Sequence, residues 1–128
     1  MDDDADDTVY FKDALNEIRP TLVCETAYNG KVALEQIEIP PPPDVIFLDL
    51  NMPVMDGYEC LAALKKSRFK DIPVVIFTTS KSKIDVEKSR QLGATLYFTK
   101  PSDFSVLCKK LDKLLHSDLS SLTDYIYN

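Results

Sequence analysis

Three short runs, Val45-Ile46-Phe47-Leu48, Val74-Val75-Ile76-Phe77 and Thr95 through Thr99, limit what this chain can fold into more than any other feature. The first two are apolar at every position instead of every second one, and the third reads the same way at its centre. Such runs mark strands covered on both faces, as the inner strands of a parallel sheet are. Stretches with helical spacing alternate with them. Cys60, Leu61 and Leu64 follow the first run, and a weakly amphipathic stretch with Ile84 and Leu92 follows the second, stopped by Gly93. Phe104, Leu107, Cys108, Leu111, Leu114 and Leu115 follow the third. Strands alternating with helices imply βαβ units and an α/β, doubly wound parallel sheet. Upstream, Phe11, Ala14, Leu15 and Ile18 predict a helix, residues 21–27 a strand, and Ala33, Leu34 and Ile37 a second helix. Pro40 through Pro43 form a stiff, extended connector.

At 128 residues there is room for one domain with a proper core. The chain has 21 acids against 15 bases, a net charge of −6, which disfavours direct contact with nucleic acid. It has neither a bilayer-length apolar stretch nor a signal-peptide pattern, so no membrane contact is expected and the expected compartment is cytoplasmic. Cys24, Cys60 and Cys108 lie in apolar patterns and read as small buried thiols. His116 is the only histidine and sits at a helix end, which excludes histidine triads and zinc hydrolysis.

In an open parallel sheet, ligands bind beyond the carboxyl ends of the strands. One strand here ends in Asp49, another in Thr78, and a third leads into Lys100, while Asp2, Asp3, Asp4, Asp6 and Asp7 crowd the amino terminus. Carboxylates, a hydroxyl and an ammonium on one rim suit a hard cation and a phosphoryl group. Asp49 is then the candidate nucleophile. The early aspartates have a second reading as a solvated tail or helix-dipole partners. Asp56 and Gly57 read as a turn and helix cap. Ser80 is placed to touch the phosphoryl environment or an attacking water.

The ordered set Leu48-Asp49-Leu50-Asn51-Met52-Pro53, Met55-Asp56-Gly57, Pro73 through Thr78, Leu92-Gly93-Ala94 and Tyr97-Phe98-Thr99-Lys100-Pro101 resembles the receiver domains of two-component response regulators over nearly the whole chain. The resemblance implies a flavodoxin-like (βα)5 fold and a phosphoryl-accepting signalling switch, not an enzyme. Asp49 would take phosphate from a histidine kinase or histidine phosphotransfer protein. Mg2+ would be held by Asp2, Asp3, the Asp49 side chain and the backbone carbonyl of Asn51. Thr78 would be the switch hydroxyl and Lys100 the partner of the acyl phosphate. Tyr97 would be the aromatic that turns inward when Thr78 moves; its other reading is a plain strand aromatic. The Lys100-Pro101 peptide is expected to be cis. Output would pass to a downstream target protein by contact. Two other functions compete: a degenerate, phosphorylation-independent interaction module, and a small Mg2+-dependent aspartyl-phosphate phosphatase. The second needs an acid two residues beyond the nucleophile, where this chain has Asn51.

The pattern departs from the family at its start, since Met1 directly precedes Asp2, where a first, central strand is expected. The expected fold therefore lacks its first strand. The compensations are an upstream start, a gap filled by the tail (119–127) or a second molecule, or direct re-pairing of the remaining strands. The expected organisation is a receiver domain over 1–116 and an extension over 117–128, helical or a tail. A strand through Tyr125-Ile126-Tyr127 is the less favoured alternative. The residues after His116 are too few for a DNA-binding module, so a stand-alone receiver is expected. The expected outcome is a homodimer, or a chain less stable than a complete receiver. Light scattering and calorimetry check this, and a monomer of ordinary thermal stability contradicts it.

Overall fold

The computed structural model describes residues 11–14, 16–17, 30–40, 43–50, 57–115 and 124–127. Asp2, Asp3, Cys24, Asn51, Asp56, His116 and the strand expected over 21–27 lie outside the described residues. The elements run α1 (residues 11–14 and 16–17), α2 (Gly30–Ile37), β1 (Ile46–Leu48), α3 (Gly57–Lys65), β2 (Val74–Thr78), α4 (Lys83–Gln91), β3 (Leu96–Thr99), α5 (Phe104–Leu115) and β4 (Ile126–Tyr127).

All pairings among the described strands are parallel, in the order β1-β2-β3-β4. Ile46 faces Val74, Val75 faces Leu96, and Tyr97 faces Ile126. Parallel neighbours need a crossover, and α3, α4 and α5 supply one each. Side chains alternate across the sheet, so it carries two cores. Ile46, Leu48, Val74, Ile76 and Tyr97 pack with Ala33, Ile37, Cys60, Leu61 and Leu64 of α2 and α3. Val75, Phe77, Leu96 and Phe98 pack with Ala14 of α1 and Leu107, Leu111 and Leu114 of α5. All five residues of β2 are buried, as its uninterrupted apolar run requires. On the second face an aromatic row crosses the sheet. Phe11 contacts Phe47 and Phe77, Phe77 contacts Phe98, and Phe98 stacks on Tyr127 with centroids 5.3 Å apart.

Helix ends follow local chemistry. Ser82 caps α4 by accepting from the Ile84 amide at 3.2 Å. Asp103 accepts from the Val106 amide ahead of α5. Gly93 takes φ +98° just past α4, the left-handed position that stops the helix. Ile84, read from the sequence as an apolar marker of α4, points outward and is 77% exposed. The α4 face against the sheet uses Ser89 and Val86 instead.

The carboxyl-terminal expectation needs correction. Of the segment expected over 117–128 as a helix or tail, residues 117–123 and 128 lie outside the described residues, and Ile126–Tyr127 form strand β4, the less favoured alternative. Nor does it fill a gap beside β1: it lies against the outer edge of β3. The reason is topological, because a crossover through α5 delivers the next parallel strand beside β3. Among the described residues, β2 is the only strand paired with β1.

Gly57 opens α3 where the chain passes the end of β1. A Cβ there would stand 2.3 Å from the Asp49 carbonyl oxygen and 2.5 Å from Leu50 Cα, both backbone atoms. The sequence reading made this residue part of a turn and cap; the structure makes it a point of close approach. Gly57→Ala should cost about 1–3 kcal/mol, because the strand end or the helix must shift. Chemical denaturation checks this, and an unchanged midpoint contradicts it.

Burial pushes the Tyr125 phenol up to about 12, against the opposing bond to Ser89 and the charge of Arg90, with Tyr97 and Glu87 adding to the rise. Unfolded, the group titrates near pH 10. The neutral phenol's contribution to stability is therefore complete below about pH 10 and lost as pH rises through about 12. An absorbance titration of the phenolate should show a late-titrating tyrosine that disappears in Tyr125→Phe.

Candidate functional site at the carboxyl rim

Because all the described strands are parallel, the carboxyl ends of β1, β2 and β3 share one rim. Asp49 directly follows β1, Thr78 ends β2 and Lys100 directly follows β3. The Lys100 backbone N–H donates to the Thr78 carbonyl at 2.7 Å, which extends the β2–β3 ladder and fixes where the lysine leaves the sheet. Its side chain then crosses the end of β2. The ammonium passes 5.3 Å from the Phe77 ring centroid and donates to Asp49 Oδ2 at 3.1 Å. The two side chains are 9% and 11% exposed, so this ion pair is almost fully withdrawn from water. Burying two charges is costly unless they meet in good geometry, and removing either one leaves the other uncompensated.

Thr78 is buried, and its Oγ1 accepts from the Ser80 amide at 3.3 Å. Tyr97 is 1% exposed and lies inside the structure, its hydroxyl donating to the Ser80 carbonyl at 2.9 Å. Desolvation holds that phenol above the ordinary tyrosine value. The Ser80 hydroxyl, expected near the phosphoryl environment, instead donates to Asp85 Oδ2 at 2.6 Å. Tyr58 also donates to Asp85, and the Lys88 ammonium lies 4.1 Å from the Tyr58 ring centroid. The hydroxyls of Ser80 and then Tyr58 hold the Asp85 carboxyl below the usual carboxylate range.

The structure therefore brings Asp49 and Lys100 into contact and joins Thr78 to Tyr97 through Ser80. Asp2, Asp3 and Asn51 lie outside the described residues, and the described residues contain no group of three or more histidines, cysteines or acids able to hold a metal ion. Sequence reasoning missed Tyr58 and Asp85. An acid in the first turn of a helix reads as a dipole partner, and nothing local reveals that Asp85 reaches a loop serine and an α3 tyrosine. Cys60 is buried with its thiol pushed up to about 11, and Cys108 is half-buried with its thiol also raised, both chiefly by desolvation.

The model for the response regulator receiver domain matches residues 1–112. The response regulator Rcp1 of Synechocystis is 38% identical over 89 residues, 69% of this chain and 60% of Rcp1. A protein-glutamate methylesterase/protein-glutamine glutaminase of Methanococcoides burtonii is 35% identical over 106 residues, 81% of this chain and 29% of that protein. The chain thus spans less than two thirds of the length of these curated relatives. Among solved structures, the phosphorylated cyanobacterial phytochrome response regulator RcpA superposes with a TM-score of 0.84 at 30% identity, covering 96% of this chain and 93% of that one. The Mn2+-bound form of Rcp1 superposes at 0.77 and 31% identity, covering 96% and 94%. A parallel sheet with helices on both faces, a buried acid–lysine pair at its carboxyl rim and these matches agree: the chain belongs to the response regulator receiver domain family.

Proposed function

We propose that this chain is a phosphoryl-accepting switch of a cytoplasmic two-component phosphorelay, with Asp49 as the acceptor. The observation that carries the reading is the buried contact between Lys100 and Asp49, 3.1 Å long, at the carboxyl rim of a receiver sheet. The donor is a phosphohistidine on a histidine kinase or histidine phosphotransfer protein. A carboxylate oxygen of Asp49 attacks the phosphorus. As the new O–P bond forms, the P–N bond breaks and the imidazole leaves with its electron pair. The acyl phosphate carries more negative charge than the carboxylate it replaces. Lys100 already stands beside that charge, with little water to screen it, and offsets the increase. Thr78 supplies a hydroxyl whose oxygen is engaged by the Ser80 amide, which leaves its hydrogen for a phosphoryl oxygen.

Asp49 is the described residue that would hold Mg2+; Asp2, Asp3 and the backbone carbonyl of Asn51, outside the described residues, would supply the other hard oxygen donors such an ion prefers. When bound, the ion supplies charge neutralisation at the phosphoryl oxygens. Output is by contact with a downstream protein, without enzymatic turnover.

Incubation with acetyl phosphate and Mg2+, followed by intact mass, tests the reading. A phosphoryl adduct is expected in the wild type and not in Asp49→Asn. Chelating the metal should abolish it, and Lys100→Ala should slow its formation about a hundredfold. An unmodified wild type, or an adduct that persists in Asp49→Asn, refutes the assignment.

A further inference from the structure

Strand β4 is two residues long, too short to hold by ladder bonds alone. Its attachment comes from the tyrosines. The Tyr97 backbone N–H donates to the Tyr125 carbonyl at 2.9 Å. The Tyr125 hydroxyl shares a 2.6 Å hydrogen bond with the Ser89 hydroxyl of α4, either oxygen being able to donate. Its ring centroid lies 6.2 Å from that of Tyr97 and 5.4 Å from the Arg90 guanidinium. On the other face Tyr127 stacks on Phe98, and its hydroxyl donates to the Lys110 carbonyl of α5 at 3.3 Å. The segment is thus tied to α4, β3 and α5 together.

Tyr97 sits between this segment and the phosphoryl side of the molecule. Its hydroxyl fixes the Ser80 carbonyl, and the Ser80 amide engages Thr78 Oγ1. We propose that the segment Tyr125–Tyr127 is a built-in clamp that holds Tyr97 in its buried position, so that docking of β4 and occupation of the site at Asp49 favour one another. The clamp keeps Ser80 where it orients the Thr78 hydroxyl, and Tyr125 acts as a positioning residue through Tyr97. Coupling of this kind is reciprocal: a phosphoryl group on Asp49 tightens the strand, and a loosened strand weakens the site. The coupling, though not the clamp contact, rests on the phosphoryl-switch reading.

Residue-resolved hydrogen exchange on the full chain, with beryllofluoride and Mg2+ as the phosphoryl mimic, tests both parts. In Tyr125→Ala the Tyr97 amide should exchange about tenfold faster or more, because its acceptor is on the released strand. The Thr95 and Lys100 amides, bonded to the Val74 and Thr78 carbonyls, should not change. Tyr125→Phe keeps the ring and loses only the Ser89 bond, so it should show a smaller effect in a folded protein. Mimic affinity should fall about fivefold or more in Tyr125→Ala. An unchanged Tyr97 amide overturns the clamp. So does protection that grows with protein concentration, which would assign the strand to a second copy. Equal mimic affinity in wild type and Tyr125→Ala overturns the coupling. A wild type that binds no mimic defeats the switch reading instead, and the Tyr97 amide still decides the clamp.

Discussion

The contact between Lys100 and Asp49 depends on a lysine and an aspartate leaving different strands at the same edge and meeting across a third. That requires three strands pointing the same way. Were β3 antiparallel to β1, the two residues would emerge at opposite ends of the sheet. The parallel ladder is therefore the condition for the site, and the crossovers through α3 and α4 are the condition for the ladder. The Phe77 ring stands beside the lysine's path, its centroid 5.3 Å from the ammonium. A charge pair in such surroundings persists because each partner compensates the other, which also makes it sensitive to an added phosphoryl charge.

The two cores give neighbouring residues of β3 separate duties. Leu96 and Phe98 face α5, while Tyr97 faces the α2–α3 side and reaches Ser80. β4 continues the arrangement beyond β3, with Tyr125 against the first core and Tyr127 against the second. A strand with no partner on its outer side invites pairing with other chains. Here the chain's own carboxyl-terminal segment takes that position.

Much of this is legible in the amino-acid sequence. The runs at 45–48, 74–77 and 95–99 announced buried parallel strands, and each is one, shorter by a residue at the start of the first and third and longer by one at the end of the second. Gly93 marked the end of α4 because a positive φ there suits glycine. Ile84 misled because α4 is mostly polar, and a single apolar residue does not define which face turns inward. The tail misled because Leu119, Leu122, Tyr125 and Ile126 fit a helical spacing as well as a short strand. Only the free edge of β3 decides between them at Ile126.

The sequence by itself determined the fold class, the parallel order of strands and helices, and the identities of Asp49, Thr78 and Lys100 as strand-end polar groups. These follow from local pattern, since burial on both faces leaves a strand almost no choice of residue and the rim is where polar chemistry can stand. The tertiary structure decided what no spacing encodes: that the Ser80 hydroxyl goes to Asp85 and not to the rim, that Gly57 has the Asp49 carbonyl in its way, and that the last tyrosines reach α4 and α5. The tyrosine contacts join residues 36 and 17 positions apart, and the first two, though nearer in the chain, depend on how a loop and a helix start turn back at a strand end and not on the residues beside them.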